Sequence, residues 1–159
     1  MACKQPGTAP RIKVFLVDDE PVVCRGLHLL LSLEANLGIC GEADSEQRAL
    51  EEIQKLRPHV AVVDLSLKEG DGLALIKQLR QRCPALKILV FSMHDQVDFA
   101  TAAFAAGAHG YVLKEEGTEK VVEAIQAIQH GGGYLSEQIA AKAPSLMSRA
   151  GRRSTTQSL

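Results

Sequence analysis

No stretch of the chain approaches the ~18–20 consecutive apolar residues that a bilayer-spanning helix needs. The opening residues, Met1-Ala2-Cys3-Lys4-Gln5-Pro6-Gly7, lack the apolar centre of a secretory signal. No membrane association is expected, and the cytoplasm is the default location. The four cysteines, at 3, 24, 40 and 83, form no C-x-x-C pair. They read as reduced structural thiols and not as a disulfide framework or a zinc site. The five histidines show no ligand spacing. The net charge of −1 excludes a chain that is basic as a whole, as a nucleic-acid binder commonly is. Only the end is one-sided. From Ile139 onward there are four basic residues (Lys142, Arg149, Arg152, Arg153) and no acidic one. Such a tail reads as a solvated linker, or as a segment able to touch phosphates.

The chain does have the size and apolar content of one compact domain with a short extension: 159 residues, 46% hydrophobic and 23% charged. Short apolar runs alternate with helical patterns five times. The runs are Ile12–Val17, Gly38–Ala43, Val60–Val63, Lys87–Phe91 and Gly110–Leu113. The first, third and fourth are nearly continuous in apolar residues, as strands buried on both faces of a parallel sheet are. Between them, residues recur at helical spacing: Val22, Gly26, Leu29, Leu30 and Leu33; Leu50, Ile53 and Leu56; Leu75, Ile76 and Leu79; Val121, Ile125 and Ile128. Asp44 with Gln47 resembles a capping box. Pro58 and Pro84 stop helices, and Gly131-Gly132-Gly133 ends the last one. The alternation predicts an α/β fold, an open doubly wound parallel sheet with helices on both faces. Ligands of such sheets bind beyond the carboxyl ends of the strands. Tyr134–Ala143 has the pattern of a short helix, and the final residues read as a frayed tail.

Reactive side chains fall at those carboxyl ends. Asp18 and Asp19 end the first strand, Asp64 the third, Ser92 the fourth and Lys114 the fifth. Any one of them alone reads as a cap or turn residue. Four strand ends on one edge are hard to explain by turn chemistry. Carboxylates packed together repel and call for a cation. Oxygen-only ligands suit Mg²⁺. With the ion and Lys114 neutralising an incoming phosphoryl group, Asp64 would attack phosphorus and form an acyl phosphate, while Ser92 donates a hydrogen bond to a phosphoryl oxygen.

The segments Val14–Pro21, Val63–Leu67, Asp71-Gly72-Leu73, Val90–Met93 and Gly107–Lys114 resemble the response regulator receiver family. The resemblance spans about residues 11–131. It leaves 1–10 as a disordered leader and 132–159 as a linker or tail. It implies the flavodoxin-like (CheY-like) (βα)5 fold with strand order 2-1-3-4-5. It also implies roles. Asp64 is the phosphoacceptor. Asp19 is a direct metal ligand, Asp18 holds metal-bound water, and the backbone carbonyl of Ser66 is a third ligand. Lys114 pairs with the phosphoryl group. Ser92 and Tyr111 form the switch, moving inward and remodelling the face made by the fourth helix, fifth strand and fifth helix. For Tyr111 the plainer alternative is a half-buried strand aromatic with its hydroxyl in water. The wording Asp64-Leu65-Ser66-Leu67 and the later Gly132-Gly133-Tyr134-Leu135-Ser136 resemble the NarL/FixJ subgroup, in which a helix-turn-helix effector follows the receiver. Here too little chain follows Ser136 for that domain. Either the effector lies outside this sequence or the protein is a stand-alone receiver. The implied partners are a sensor histidine kinase, a second copy after phosphorylation, and DNA only through an effector domain. Self-catalysed phosphotransfer and slow autodephosphorylation would be the only chemistry.

The sequence departs from the family's pattern at Lys68 and Glu69, in the loop beside the site, and at Glu115, where many receivers carry proline. That leaves open whether the Lys114–Glu115 bond is cis. The fourth helix is rich in alanine (Ala100, Ala102, Ala103, Ala105, Ala106) and short of large apolar anchors. It reads as a two-state element or as tight packing through small residues. Three competitors are weaker. A haloacid dehalogenase-like phosphatase wants an acid two residues after its nucleophile, where Ser66 stands. A flavodoxin-like cofactor module wants a Ser/Thr-rich loop where Asp18-Asp19-Glu20 would repel phosphate. A degenerate receiver would not keep the full acidic set.

Overall fold

The computed structural model describes residues 12–148. The expected disordered leader 1–10 and the basic residues Arg149, Arg152 and Arg153 lie outside the described residues, as does Cys3.

Strands and helices alternate through the chain: β1 (Ile12–Val17), α1 (Pro21–Ser32), β2 (Leu37–Ala43), α2 (Glu46–Leu56), β3 (Val60–Val63), α3 (Gly72–Arg82), β4 (Lys87–Ser92), α4 (Val97–Ala106), β5 (Gly110–Leu113) and α5 (Glu119–Gln129). A two-residue β6 (Tyr134–Leu135) and a short α6 (Glu137–Lys142) follow. All strand pairings are parallel, in the order β2-β1-β3-β4-β5-β6. The doubly wound α/β sheet with the 2-1-3-4-5 core is as expected, and β6 extends it on the far side of β5.

Because successive strand residues point to opposite faces, the sheet divides the core in two. Phe15, Val17, Ala61, Val63, Ile88, Val90, Tyr111 and Leu113 pack toward α2, α3 and α4. Val14, Leu16, Val60, Val62, Leu89, Phe91 and Val112 pack toward α1 and α5. β3, β5 and the last four residues of β1 are buried throughout, which explains their lack of polar alternation. Cys24, Cys40 and Cys83 are free thiols. Among the described residues no helix is long and apolar enough to cross a membrane.

Several local expectations need correction. The stripe Val22, Leu29 and Leu33 does not face the core: these side chains are 76%, 71% and 77% exposed, and α1 buries Cys24, Leu27 and Leu31 instead. The run Leu29-Leu30-Leu31 offers apolar residues on both sides of the helix, so spacing alone could not choose between them. The cap of α2 is Ser45, whose hydroxyl accepts from Arg48 N at 3.3 Å, and not Asp44. The extended backbone of Ser45 (φ −141°, ψ 158°) puts its oxygen within reach of the third helical amide. β2 begins one residue earlier than expected, at Leu37. The expected helix over 134–143 is a strand for its first two residues: Ser136 N donates to Tyr111 O at 2.8 Å and draws this stretch alongside β5. The alanine-rich α4 does own a large anchor, Phe104, which is 1% exposed.

The stretch from Leu135 to Leu146 is built into the core. Leu135, Ile139 and Leu146 are 6%, 0% and 3% exposed and belong to the same apolar cluster as α4. Ile139→Ala is therefore expected to destabilise the chain by about 2–5 kcal/mol, the range of a buried large-to-small change. Lys142→Ala, at a surface position, should stay within about 0.5 kcal/mol. Urea unfolding of both variants checks this. An Ile139→Ala midpoint equal to the native one would place 134–147 outside the cooperative unit.

Candidate functional site

The register of the sheet brings the site together. Val17 pairs with Val63, and Val63 with Val90. The next residue of each chain segment emerges at one edge. The ladder runs one step further there: Asp64 N donates to Val17 O at 2.9 Å, and Asp18 N to Ala43 O at 3.1 Å. Asp18 and Asp64 thus stand side by side, each with a side chain only 5% exposed.

Lys114 enters this pair from the end of β5. Its ammonium lies 2.9 Å from Asp18 Oδ2, 3.0 Å from Asp64 Oδ2 and 2.5 Å from Glu20 Oε1. The other carboxylate oxygens are held from the backbone. Glu20 N donates to Asp18 Oδ1 at 2.9 Å, and Ser66 N to Asp64 Oδ1 at 3.2 Å. Burial raises the Asp18 carboxyl above its ordinary value. Lys114 opposes that shift, and the charge of Asp64 adds to it. Burial by itself would lower Lys114, but its bonds to Glu20, Asp18 and Asp64 outweigh this and hold the ammonium well above the usual lysine range.

One cation among three carboxylates leaves an excess of negative charge. One oxygen each from Asp18, Glu20 and Asp64 lies within 4.8 Å of the others, close enough to share an ion. Two of the carboxylates are buried and the third, Glu20, is 48% exposed in its side chain, so water reaches one side. An oxygen-only set with an open, wet side fits Mg²⁺, which keeps several waters and takes few carboxylates.

The predicted residues divide in this geometry. Asp18, Asp64 and Lys114 meet. Asp19 opens on the same crevice but is not in the trio: its Oδ2 accepts from Lys68 N at 2.7 Å. Ser66 lines the crevice, and its amide steadies Asp64. Ser92 is fully buried, and its Oγ accepts from His94 N at 3.1 Å. Tyr111 is wholly buried and donates to His94 O at 2.7 Å, which overturns the half-buried alternative. Burial, with the charges of Asp64 and Asp95 adding, pushes its phenol up to about 12. Sequence reasoning missed Glu20 and His94 as site residues. Glu20 was legible in the triplet Asp18-Asp19-Glu20. It stands at the N-cap of α1 without capping it, which frees its carboxylate for Lys114.

The departures in sequence have local solutions. The β3–α3 loop holding Lys68 and Glu69 is pinned by α2: Glu46 N donates to Glu69 O at 3.1 Å, and Glu46 Oε1 accepts from Asp71 N at 2.9 Å. Gly72, opening α3, lies so close to the phosphoacceptor candidate that a Cβ there would fall 2.4 Å from Asp64 O and 2.5 Å from Leu65 Cα. The Lys114–Glu115 bond is trans, since no cis peptide occurs among the described residues. Lys114 instead opens a 3-10 turn to Glu116 that Gly117 closes.

A lysine bridges a carboxylate pair at the carboxyl edge of a doubly wound parallel sheet, and comparison gives the family. The profile of the response regulator receiver domain matches residues 14–126. The chain is 37% identical over 130 residues to the DNA-binding transcriptional activator DevR/DosR of Mycobacterium tuberculosis, covering 82% of this chain and 60% of that one. It is 28% identical over 129 residues to the transcriptional regulatory protein DegU of Brevibacillus brevis, covering 81% and 55%. It thus spans little more than half the length of such relatives. A LuxR-family response regulator from Aurantimonas sp. superposes with a TM-score of 0.80 at 34% identity, covering 84% and 96% of the two chains. The isolated receiver domain of RcsB from Salmonella enterica, solved with a beryllofluoride phosphomimetic, gives 0.77 at 28% identity, covering 82% and 97%. The chain belongs to the response regulator receiver family, and its relatives are LuxR/NarL-type transcriptional regulators.

Removing the bridging cation gives a test of the electrostatics. Without the ammonium, burial and the neighbouring charge of Asp64 keep the Asp18 carboxyl of the folded Lys114→Met chain protonated to higher pH than in the unfolded chain. Its stability is kept at low pH and lost as pH rises through that raised value. In Mg²⁺-free buffer the deficit against the native chain should be small near about pH 4 and about 3 kcal/mol near pH 8. Denaturant titrations at both pH values measure it. A deficit independent of pH would remove the charge balance as its cause.

Proposed function

We propose that this chain is the phosphoacceptor receiver of a two-component signalling protein. In this reading it is phosphorylated on Asp64 with Mg²⁺ and controls transcription through an effector domain outside this sequence. The observation that carries the reading is the position of Asp64. It is buried at the carboxyl edge, with one oxygen on Lys114 and Asp18 beside it.

Asp18, Asp19 and Asp64 with the Ser66 carbonyl are the residues that would hold the ion, and Glu20 stands ready as a further oxygen donor. Bound there, Mg²⁺ supplies charge neutralisation for the transferring phosphoryl group. The chain's own residues do the rest. The Asp64 carboxylate attacks phosphorus, the bond from phosphorus to the donor breaks, and the donor leaves with its electron pair. The product is an acyl phosphate. Lys114 follows the negative charge from the carboxylate to the phosphoryl oxygens. Ser92 reaches a phosphoryl oxygen with its hydroxyl, giving up the amide of His94, and Tyr111 adjusts behind it. The donor is a sensor histidine kinase or a small acyl phosphate, and the setting is the cytoplasm. The chain turns over no separate substrate.

The output is a shift in the population of two arrangements of α4 and β5. Both carry the C-terminal segment, so the signal reaches whatever follows residue 148 through β6 and α6. Solved RcsB assemblies include dimers bound to DNA. By analogy a phosphorylated dimer forms here, and DNA is met only through an effector. A stand-alone receiver acting on another protein would share every step up to that output. The phosphatase alternative gains nothing from the geometry, because Ser66 offers its amide to Asp64 and its hydroxyl to His94.

Incubation with acetyl phosphate, with and without Mg²⁺, tests the reading. The native chain is expected to gain ~80 Da by intact mass only when the ion is present, and Asp64→Asn to gain nothing. An adduct of equal yield on Asp64→Asn would reject Asp64 as the acceptor.

A further inference from the structure

The β4–α4 loop contains one residue that touches both sides of the switch. The ring of His94 places Nε2 2.5 Å from Ser66 Oγ. Ser66 in turn donates its amide to Asp64 Oδ1 at 3.2 Å, so a single residue separates the imidazole from the phosphoacceptor carboxylate. On its other side the same ring stacks on Phe99, with centroids 4.0 Å apart and planes 14° from parallel. Phe99 belongs to the first turn of α4. The main chain of His94 makes two more links, from its N–H to Ser92 Oγ at 3.1 Å and from Tyr111 OH to its carbonyl at 2.7 Å.

The work is divided between side chain and backbone. The links to Ser92 and Tyr111 use main-chain atoms and survive substitution. The links to Ser66 and Phe99 belong to the imidazole. A serine hydroxyl both donates and accepts, so the Ser66 bond forms with either tautomer of the ring. The ring is half-buried between the two elements.

We propose that His94 is a positioning residue of the phosphoacceptor site. Its imidazole is a strut between the turn carrying Asp64 and the first turn of α4, and it transmits the state of Asp64 to that helix independently of Ser92 and Tyr111. This deepens the receiver reading and rests on it. Any displacement of the Asp64–Ser66 turn, when the carboxylate is modified, moves Ser66 Oγ. Through the strut that motion reaches Phe99 and α4. A plain space-filling role predicts something else: loss of the ring would loosen α4 equally in both states.

The experiment measures amide hydrogen exchange over α4 on the full chain, with and without saturating beryllofluoride and Mg²⁺. Saturation is followed by the fluorine resonance of the bound anion. In the native chain, saturation should slow exchange in the first turn of α4 by about fivefold, the effect of one hydrogen bond of ordinary net strength. His94→Phe keeps a ring on Phe99 but offers nothing to Ser66, and Ser66→Ala removes the other partner. In both variants, and in His94→Ala, the difference between the two states should fall to about twofold or less, the part carried by Ser92 and Tyr111. The double variant His94→Ala/Ser66→Ala should be no worse than either single change, as for two ends of one link. His94→Phe with the native state-dependent difference would overturn the proposal, as would additive losses in the double variant. A native chain that binds no beryllofluoride would instead bring down the receiver reading itself. Should His94→Ala fail to fold, the Phe and Ser66 variants decide the matter.

Discussion

A single ammonium held among three carboxylates is the constraint around which this domain is arranged. Lys114 lies within 3.0 Å of Asp18, Glu20 and Asp64, and two of those acids are almost wholly shielded from water. Shielded like charges are unfavourable unless something answers them. The lysine answers only in part, and the negative charge left over is what the divalent cation of the proposed function would neutralise. Asp18 and Asp64 directly follow β1 and β3, Glu20 stands at the N-cap of α1, and the cation directly follows β5. No one of these strands could set the geometry alone. The whole parallel register has to be in place before the charges can meet.

The loops around the edge are correspondingly stiff. Glu46 reaches across from α2 to the β3–α3 loop, where it holds the Glu69 carbonyl and the Asp71 amide and also accepts from Gln78 Nε2 at 2.8 Å. Gly70, with φ +109°, packs where a side chain would meet Glu46 Cβ at 2.4 Å. Rigidity of this kind holds the turn that carries Asp64 in one pose, and in the proposed function it would lower the ordering cost of transfer.

Much of this was legible in the residues. The apolar runs ending in Asp18, Asp64, Ser92 and Lys114 announced both the parallel sheet and its working edge, because buried parallel strands have little choice of composition. Glu20 was within the same triplet and was passed over because helix starts often carry acids for other reasons. His94 gave no signal: a lone histidine in a loop becomes informative only when tertiary structure shows what lies on either side of its ring. The facing of α1 failed for the opposite reason. Leucines at 29, 30 and 31 supply apolar spacing on two sides of the helix, and only packing against β1 and α5 decides between them. The contribution of Leu135, Ile139 and Leu146 to the core was hidden in a stretch whose composition matches a linker.

β6 is only two residues long, yet it occupies the outer rim of β5. Bare strand rims are templates on which foreign chains can zip and begin to aggregate. With Tyr134 and Leu135 in place, the rim left over is too brief to nucleate such growth. On the opposite side the β1–β2 ladder slips in register between Val14 and Phe15, which disturbs the regular spacing a visiting strand would need. A concentrated solution of this domain should accordingly resist fibril formation for as long as Tyr134 and Leu135 stay docked on β5.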